Sequence, residues 1–214
     1  VFFPTTLSGP ASNSMTQQLQ LWISKESQKN TKTLLLMRKL CINNKIDTFS
    51  ELLKYIHSLP YGRNSNRSEL SLVLKENKGT CSSKHAFIKE VAIENKFNDI
   101  SLWISIYKMN GLNTKGINNI LENENINYIP EAHCYLKINN KRIDLTFPNN
   151  TSLKFEESLI QEIEINPEQV GDFKIKYHQD YIKSWIKTSD LAYSFEEVWQ
   201  IREACILALQ NKKT

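Results

Sequence analysis

No apolar run in this chain reaches the ~18 residues that a membrane-spanning helix requires, so the sequence offers no bilayer anchor. Nor does it hold a basic block. Its 27 Lys and Arg are scattered among Glu and Asn, and the net charge is only +4, which describes a solvated surface rather than a nucleic-acid footprint. No internal repeat is visible. The four cysteines follow no metal-binding or disulfide spacing, and free thiols in a reducing, cytoplasmic compartment are the simpler reading. A signal peptide is also lacking in what is printed: Thr5 to Ser14 carries no charge and little periodicity. Residues 1–14 are read as a flexible or vector-derived segment and set apart from residues 15–214, a single domain. Forty per cent hydrophobic and ten per cent aromatic residues in a chain of this length are enough for one full core. The richness in Asn, Lys and Ile suggests an AT-rich, bacterial genome.

What is present is concentrated around Cys81. In Lys78-Gly79-Thr80-Cys81-Ser82-Ser83-Lys84-His85-Ala86 a Gly-Thr step breaks the chain, a cysteine follows, and an apolar helical run begins at once. A thiol at a helix start meets unpaired N–H groups and the positive end of the dipole, which favour the reactive thiolate. Downstream stand Ala132-His133-Cys134-Tyr135 and Ile143-Asp144-Leu145-Thr146. A cysteine at a helix start, then a histidine and an aspartate on strands, suits a nucleophile, its base and the group that orients the base.

Periodicity supplies the frame. Leu19 to Ser24 and Thr31 to Ile42 read as helices. Thr48 caps another, with Glu51 completing a capping box and Pro60 stopping it. Glu69 to Glu76 is a short helix, and the Cys81 helix runs to about Asn95, apolar around most of its circumference and therefore buried. Then the period changes to two. Ile100, Leu102, Ile104 and Ile106 alternate with polar and aromatic neighbours in a strand. Thr114 to Asn123 is a short polar helix or loop. His133 to Ile138 and Lys141 to Phe147 form strands around Asn139-Asn140, a hairpin signal because Asn tolerates positive φ. The tail reads as strands at Ile160 to Ile165 and Phe173 to Tyr177 and a helix from about Phe195 to Gln210. Helices followed by antiparallel strands predict an α+β fold. With a two-residue loop, Tyr135 faces Asp144 and His133 lies two residues along on the same face, within reach of an imidazole–carboxylate bond. A three-residue loop would turn Asp144 to the other face.

Gly79-Thr80-Cys81, Glu131-Ala132-His133 and Asp144-Leu145-Thr146, in this order, resemble the transglutaminase-like superfamily of thiol enzymes, over roughly Thr48 to Asn150. The resemblance implies a papain-like core, a buried helix carrying the cysteine on an antiparallel sheet carrying histidine and aspartate, with residues 151–214 as an accessory tail. It also implies Cys81 as nucleophile, His133 as general base and Asp144 as its orienter. The family holds transglutaminases, peptidases, amidases and catalytically dead scaffolds, so it fixes the machinery better than the substrate, which is expected to be a peptide or protein amide, with no cofactor or metal. Cys134-Tyr135 replaces the family's common pattern after the histidine, and Ala86 follows the cysteine one residue late. The upstream Trp or Gln side chain that the family commonly uses toward an oxyanion has no counterpart between Thr31 and Thr80, which leaves Asn64 or Tyr61 beside the Cys81 N–H.

The blander readings stand beside these. A lone cysteine is more often a small buried hydrophobe. His85, four residues after Cys81, has metal-ligand spacing, and a zinc set would recruit Cys81, His85, His133 and Cys134; but His133 and Cys134, as strand neighbours, should point to opposite faces. His57 and His178 read as surface residues, Trp103 and Tyr107 as core, and Arg63 as a solvated arginine or a carboxylate binder. The expected activity is hydrolysis of peptide or amide bonds through a thioester, with acyl transfer to an amine, or a non-catalytic module of the same fold, as the alternatives.

Overall fold

A computed structural model describes residues 46–148, 155–189 and 191–210. The helices expected near Leu19 and Thr31, Cys41 and the segment 1–14 lie outside them. The chain runs through helices α1 (Phe49–Ser58), α2 (Leu72–Lys75) and α3 (Cys81–Glu94), strand β1 (Ile100–Met109), helix α4 (Asn118–Asn123), and strands β2 (Ile129–Ile138) and β3 (Lys141–Ile143). Strand β4 (Leu159–Ile165), between two 3-10 turns, is followed by helices α5 (Asp172–Thr188) and α6 (Phe195–Gln210). The four strands form one antiparallel sheet in the order β3-β2-β1-β4. The fold is α+β.

Local chemistry places the helices. Thr48 caps α1 through the reciprocal bonds of a capping box with Glu51, and Thr80 caps α3 in the same way with Ser83. Side-chain parity then places the sheet between two layers. Leu102, Ile104 and Ile106 face the α3 side together with Ala132, Cys134 and Leu136. Tyr107, Met109, Ile129 and Tyr135 belong to a second cluster with Ile182, Trp185, Val198 and Ile201 of α5 and α6. Strand β2 is thus buried on both faces, which explains its nearly unbroken burial.

Asn139 and Asn140 have φ of 49° and 62°, and Ile138 pairs with Lys141, so the hairpin has the tight two-residue turn that Asn-Asn favours. Its second strand is shorter than the apolar run suggests. The backbone leaves the sheet after Ile143 because α3 captures it. The Leu145 N–H donates to His85 Nε2, and the carbonyls of Leu145 and Thr146 accept from the buried Lys84 ammonium. Beyond Leu136, the outer edge of β2 therefore has no strand beside it among the described residues.

Two expectations for the tail change. The strand expected at Phe173 to Tyr177 is the first part of α5. Phe173, Ile175 and Tyr177 mimic a period of two. Yet His178, Ile182 and Trp185 form the i, i+4, i+7 stripe that is buried, while Phe173 remains 42% exposed and stacks on Tyr177 one turn away. Nor is the tail peripheral: β4 pairs along β1, and α5 packs on β2.

Candidate active site

Cys81 opens α3 and is 7% exposed. Thr80 caps the Ser83 N–H, and the Lys84 N–H begins the helical ladder on the Thr80 carbonyl. The N–H groups of Cys81 and Ser82 have no intrahelical carbonyl to donate to at the positive end of the helix. Gly79 sets the approach. A Cβ there would lie 2.8 Å from Lys84 Cγ, and its backbone bonds to Pro60 and Gly62 hold the Tyr61 loop beside the helix start.

The helix N-terminus sits against the open edge of β2, so side chains from both sheet faces reach the sulfur. The Cys134 thiol, from the face toward α3, and the His133 ring, from the other face, both stand close enough to the sulfur to stabilise its charge. These contacts, with the Lys174 ammonium 3.7 Å away, hold the Cys81 thiol well below its ordinary pKa despite burial. The Cys134 thiol, buried beside that charge, is pushed well up.

His133 Nε2 lies 2.9 Å from Asp144 Oδ2, the pairing that the tight hairpin implies. Burial opposes an imidazolium, but Asp144 and the Cys81 thiolate outweigh it and raise the ring to about 10. Asp144 is 5% exposed. Burial opposes its charge too, yet His133 and the Thr146 hydroxyl bring its carboxyl to about 2. Its other oxygen accepts from the Thr146 N–H at 2.9 Å and from that hydroxyl. The His133 ring packs against Phe155, centroids 4.8 Å apart, and edge-on to Tyr107, which leaves it little freedom to turn.

His85 stands beside the site, its Nε2 3.7 Å from Asp144 Oδ1, but both its ring nitrogens are engaged by backbone. Its Nε2 accepts from the Leu145 N–H and its Nδ1 bonds the Cys81 carbonyl, each at 2.7 Å. Burial lowers it to about 4, so it is neutral, with the proton assigned to Nδ1 by this network. With both ring nitrogens engaged, the set Cys81, His85, His133 and Cys134 does not assemble around a metal; among the described residues no group of His, Cys, Asp or Glu is placed to hold one. His133 and Cys134 do project from opposite faces, but at the open sheet edge both act on the same sulfur.

The two oxyanion candidates separate. Asn64 spends its Nδ2 on the Leu72 and Lys78 carbonyls and on Glu76, at 3.1–3.2 Å, so it pins a loop and offers no donor. Tyr61 lines the Cys81 cleft, stacks on Phe147 at 5.0 Å, and keeps its phenol proton because burial and the Cys81 charge push its pKa up. Beside those N–H groups, Tyr61, Lys174 at 3.7 Å and the Ser82 hydroxyl at 3.9 Å are donor groups around the sulfur.

A cleft of about 420 Å³ opens from Cys81 between the Tyr61 loop, α5 and α6. Sequence reasoning missed its far wall. Lys174 Nζ donates to Ser82 Oγ at 2.6 Å. Arg202 grips Glu131 with two bonds of 2.7 and 2.5 Å, and burial of Glu131 is outweighed by that guanidinium, so the carboxyl stays ionised. His178, expected at the surface, is 3% exposed, with Nε2 2.8 Å from the Pro130 carbonyl and burial lowering its pKa. His57 is half-buried beneath the Phe147 backbone, and Arg63 pairs with Glu203 at 2.6 Å instead of standing free. A signal for Glu131 existed: a carboxylate inside an apolar strand needs a partner. Lys174 was hidden by reading its segment as a strand. No family model matches the chain, and neither curated proteins nor solved structures give a match.

Proposed function

We propose that the chain is a cysteine-dependent hydrolase that opens peptide or amide bonds through a thioester, on a papain-like, transglutaminase-like core. The observation that carries this reading is the juxtaposition of Cys81 with a His133 ring that is hydrogen-bonded to Asp144, in which the thiol is acidified and the imidazole made basic. Those opposite shifts favour a thiolate–imidazolium pair at neutral pH, so the nucleophile needs no deprotonation step. The thiolate adds to the amide carbonyl, forming the S–C bond. The oxyanion meets the Cys81 N–H and a neighbouring donor, of which Tyr61 and Lys174 are the side-chain choices. The C–N bond then breaks as the amine takes the proton of His133. Neutral His133 next deprotonates a water, whose oxygen attacks the thioester; the C–S bond breaks, the acid leaves, and the thiolate–imidazolium pair returns. Asp144 keeps the ring oriented throughout.

Hydrolysis is favoured over transfer to an amine because most residues lining the cleft are of polar or charged type, with Tyr61 and Trp199 the large aromatics among them. Such a site admits water. The test is to incubate the protein and its Cys81→Ala variant with a mixed peptide library, with and without a labelled primary amine, and to follow products by mass spectrometry. Hydrolysed or deamidated product that depends on Cys81 is expected. Amine adducts in excess of hydrolysis establish a transferase instead, and an unreactive Cys81 without turnover establishes a non-catalytic module.

A further inference from the structure

Four cations border the Cys81 cleft: Arg63, Arg67, Lys174 and Arg202. Two carboxylates, Glu131 and Glu203, line it with them, and both are spent. Glu131 holds Arg202 in the two-bond clasp, and Glu203 bonds Arg63 and Arg202. Arg67 has no hydrogen-bond or ion-pair partner among the described residues. Lys174 has the Cys81 sulfur at 3.7 Å, beside its bond to the neutral Ser82 hydroxyl; the other anion acting on it, Glu131, lies beyond ion-pair distance and is committed to Arg202. The sulfur anion disappears during the proposed reaction, since a thiolate becomes a neutral thioester. A half-buried ammonium then keeps only the Glu131 charge that Arg202 already holds, which is costly unless the substrate brings another. Between these cations Trp199 offers an apolar face, with the His178 ring 5.2 Å from it.

We propose that this cleft is a carboxylate-recognition subsite, and that the acyl group taken by Cys81 carries a carboxylate which Lys174 and Arg67 receive. The inference rests on the thiol-hydrolase reading above and names its substrate class. The carboxylate can be an acidic side chain or a chain-terminal α-carboxylate. Both present the same planar anion to an ammonium and a guanidinium.

Two small alkylating agents of the same shape test it, iodoacetate with a carboxylate and iodoacetamide without. Their rates at Cys81, followed by mass spectrometry at low salt, are compared as a ratio with that of glutathione. The ratio cancels the thiolate fraction, because both reagents use the same thiolate. We expect the ratio at Cys81 to exceed that of glutathione on the order of tenfold, the scale of one partly desolvated charge pair. Lys174→Met and Arg67→Gln should each lower it. A ratio no higher than that of glutathione, with fast iodoacetamide labelling, overturns the subsite and leaves the thiolate reading standing. A raised ratio that survives both substitutions also overturns it, since the His133 imidazolium then accounts for the preference. A Cys81 unreactive to both reagents overturns both readings. With the ratio raised and lowered by the variants, protection against iodoacetamide identifies the source. Peptides with a free C-terminus point to the α-carboxylate; amidated peptides with internal Glu or Asp point to the side chain.

Discussion

At the scale of the residue, the acidity of Cys81 is a property of its neighbours. The largest contribution comes from the Cys134 thiol beside it, which stays protonated itself. Replacing it by alanine removes a group that stabilises only the charged form. We expect Cys134→Ala to shift the pH profile of Cys81 alkylation upward, slowing iodoacetamide labelling near pH 6 more than near pH 9. A profile that does not move would assign the acidity to Lys174 and His133 instead. Asp144 provides a second test. Its carboxyl is held to about 2 in the fold, below the unfolded value near 3.9. A depressed carboxylate contributes stability that is complete above the unfolded value and is lost as pH falls through the folded one. Urea midpoints should therefore fall between about pH 4 and 2, and less steeply in Asp144→Asn. The sequence announced Cys81, His133 and Asp144, because a helix start, a strand and an Asn-Asn turn are local signals. It hid Cys134 as a participant, because strand parity alone sends adjacent residues to opposite faces.

At the scale of the element, one lysine joins three pieces of chain. Lys84 in α3 is fully buried and gives its three protons to the carbonyls of Leu59, Leu145 and Thr146, at 2.6, 3.3 and 2.8 Å. Those bonds hold the end of α1 and fix the segment after β3, the backbone next to Asp144, outside the sheet. Burial brings the ammonium down to about 8, with the Asp144 charge opposing that fall. Lys84→Met keeps the stem and leaves three buried carbonyls unpaired. We expect a loss of about 3 kcal/mol or more in urea unfolding, with slower Cys81 alkylation as Asp144 loses its support. Unchanged stability would mean that water replaces the ammonium. The boundaries of α1, α3 and β1 were legible because caps and periodicity are short-range. The length of β3 was not, because Leu145 and Phe147 continue an apolar alternation that helix α3 interrupts from sixty residues away.

At the scale of the whole molecule, the Glu131–Arg202 pair fastens β2 to α6 across the second core cluster. Both side chains are largely buried, at 8% and 12% exposure. Removing one partner of such a pair leaves an uncompensated charge, whereas removing both leaves none. Arg202→Met should cost about 3–5 kcal/mol, and the double variant Glu131→Gln with Arg202→Met should recover much of that loss. Urea denaturation of the three proteins measures this. A double variant as unstable as the single one would show that the guanidinium acts through packing on Trp199, 5.3 Å from its ring, and not through charge. No helix among the described residues is long and apolar enough to cross a membrane.

By itself, the sequence determined the α+β class, the capped helix that presents Cys81, the Asn139-Asn140 turn and the spacing that lets Asp144 reach His133. These are decided within a few residues, by caps, side-chain period and the φ preference of asparagine. Only the tertiary structure decided that β3 stops at Ile143, leaving an edge of β2 where both sheet faces meet one sulfur. It also decided that Asn64 is spent on a loop, and that α5 and α6 bring Lys174, Trp199 and Arg202 to the cleft. Such placements depend on contacts between residues tens of positions apart, and no local pattern encodes which buried charge will find which partner.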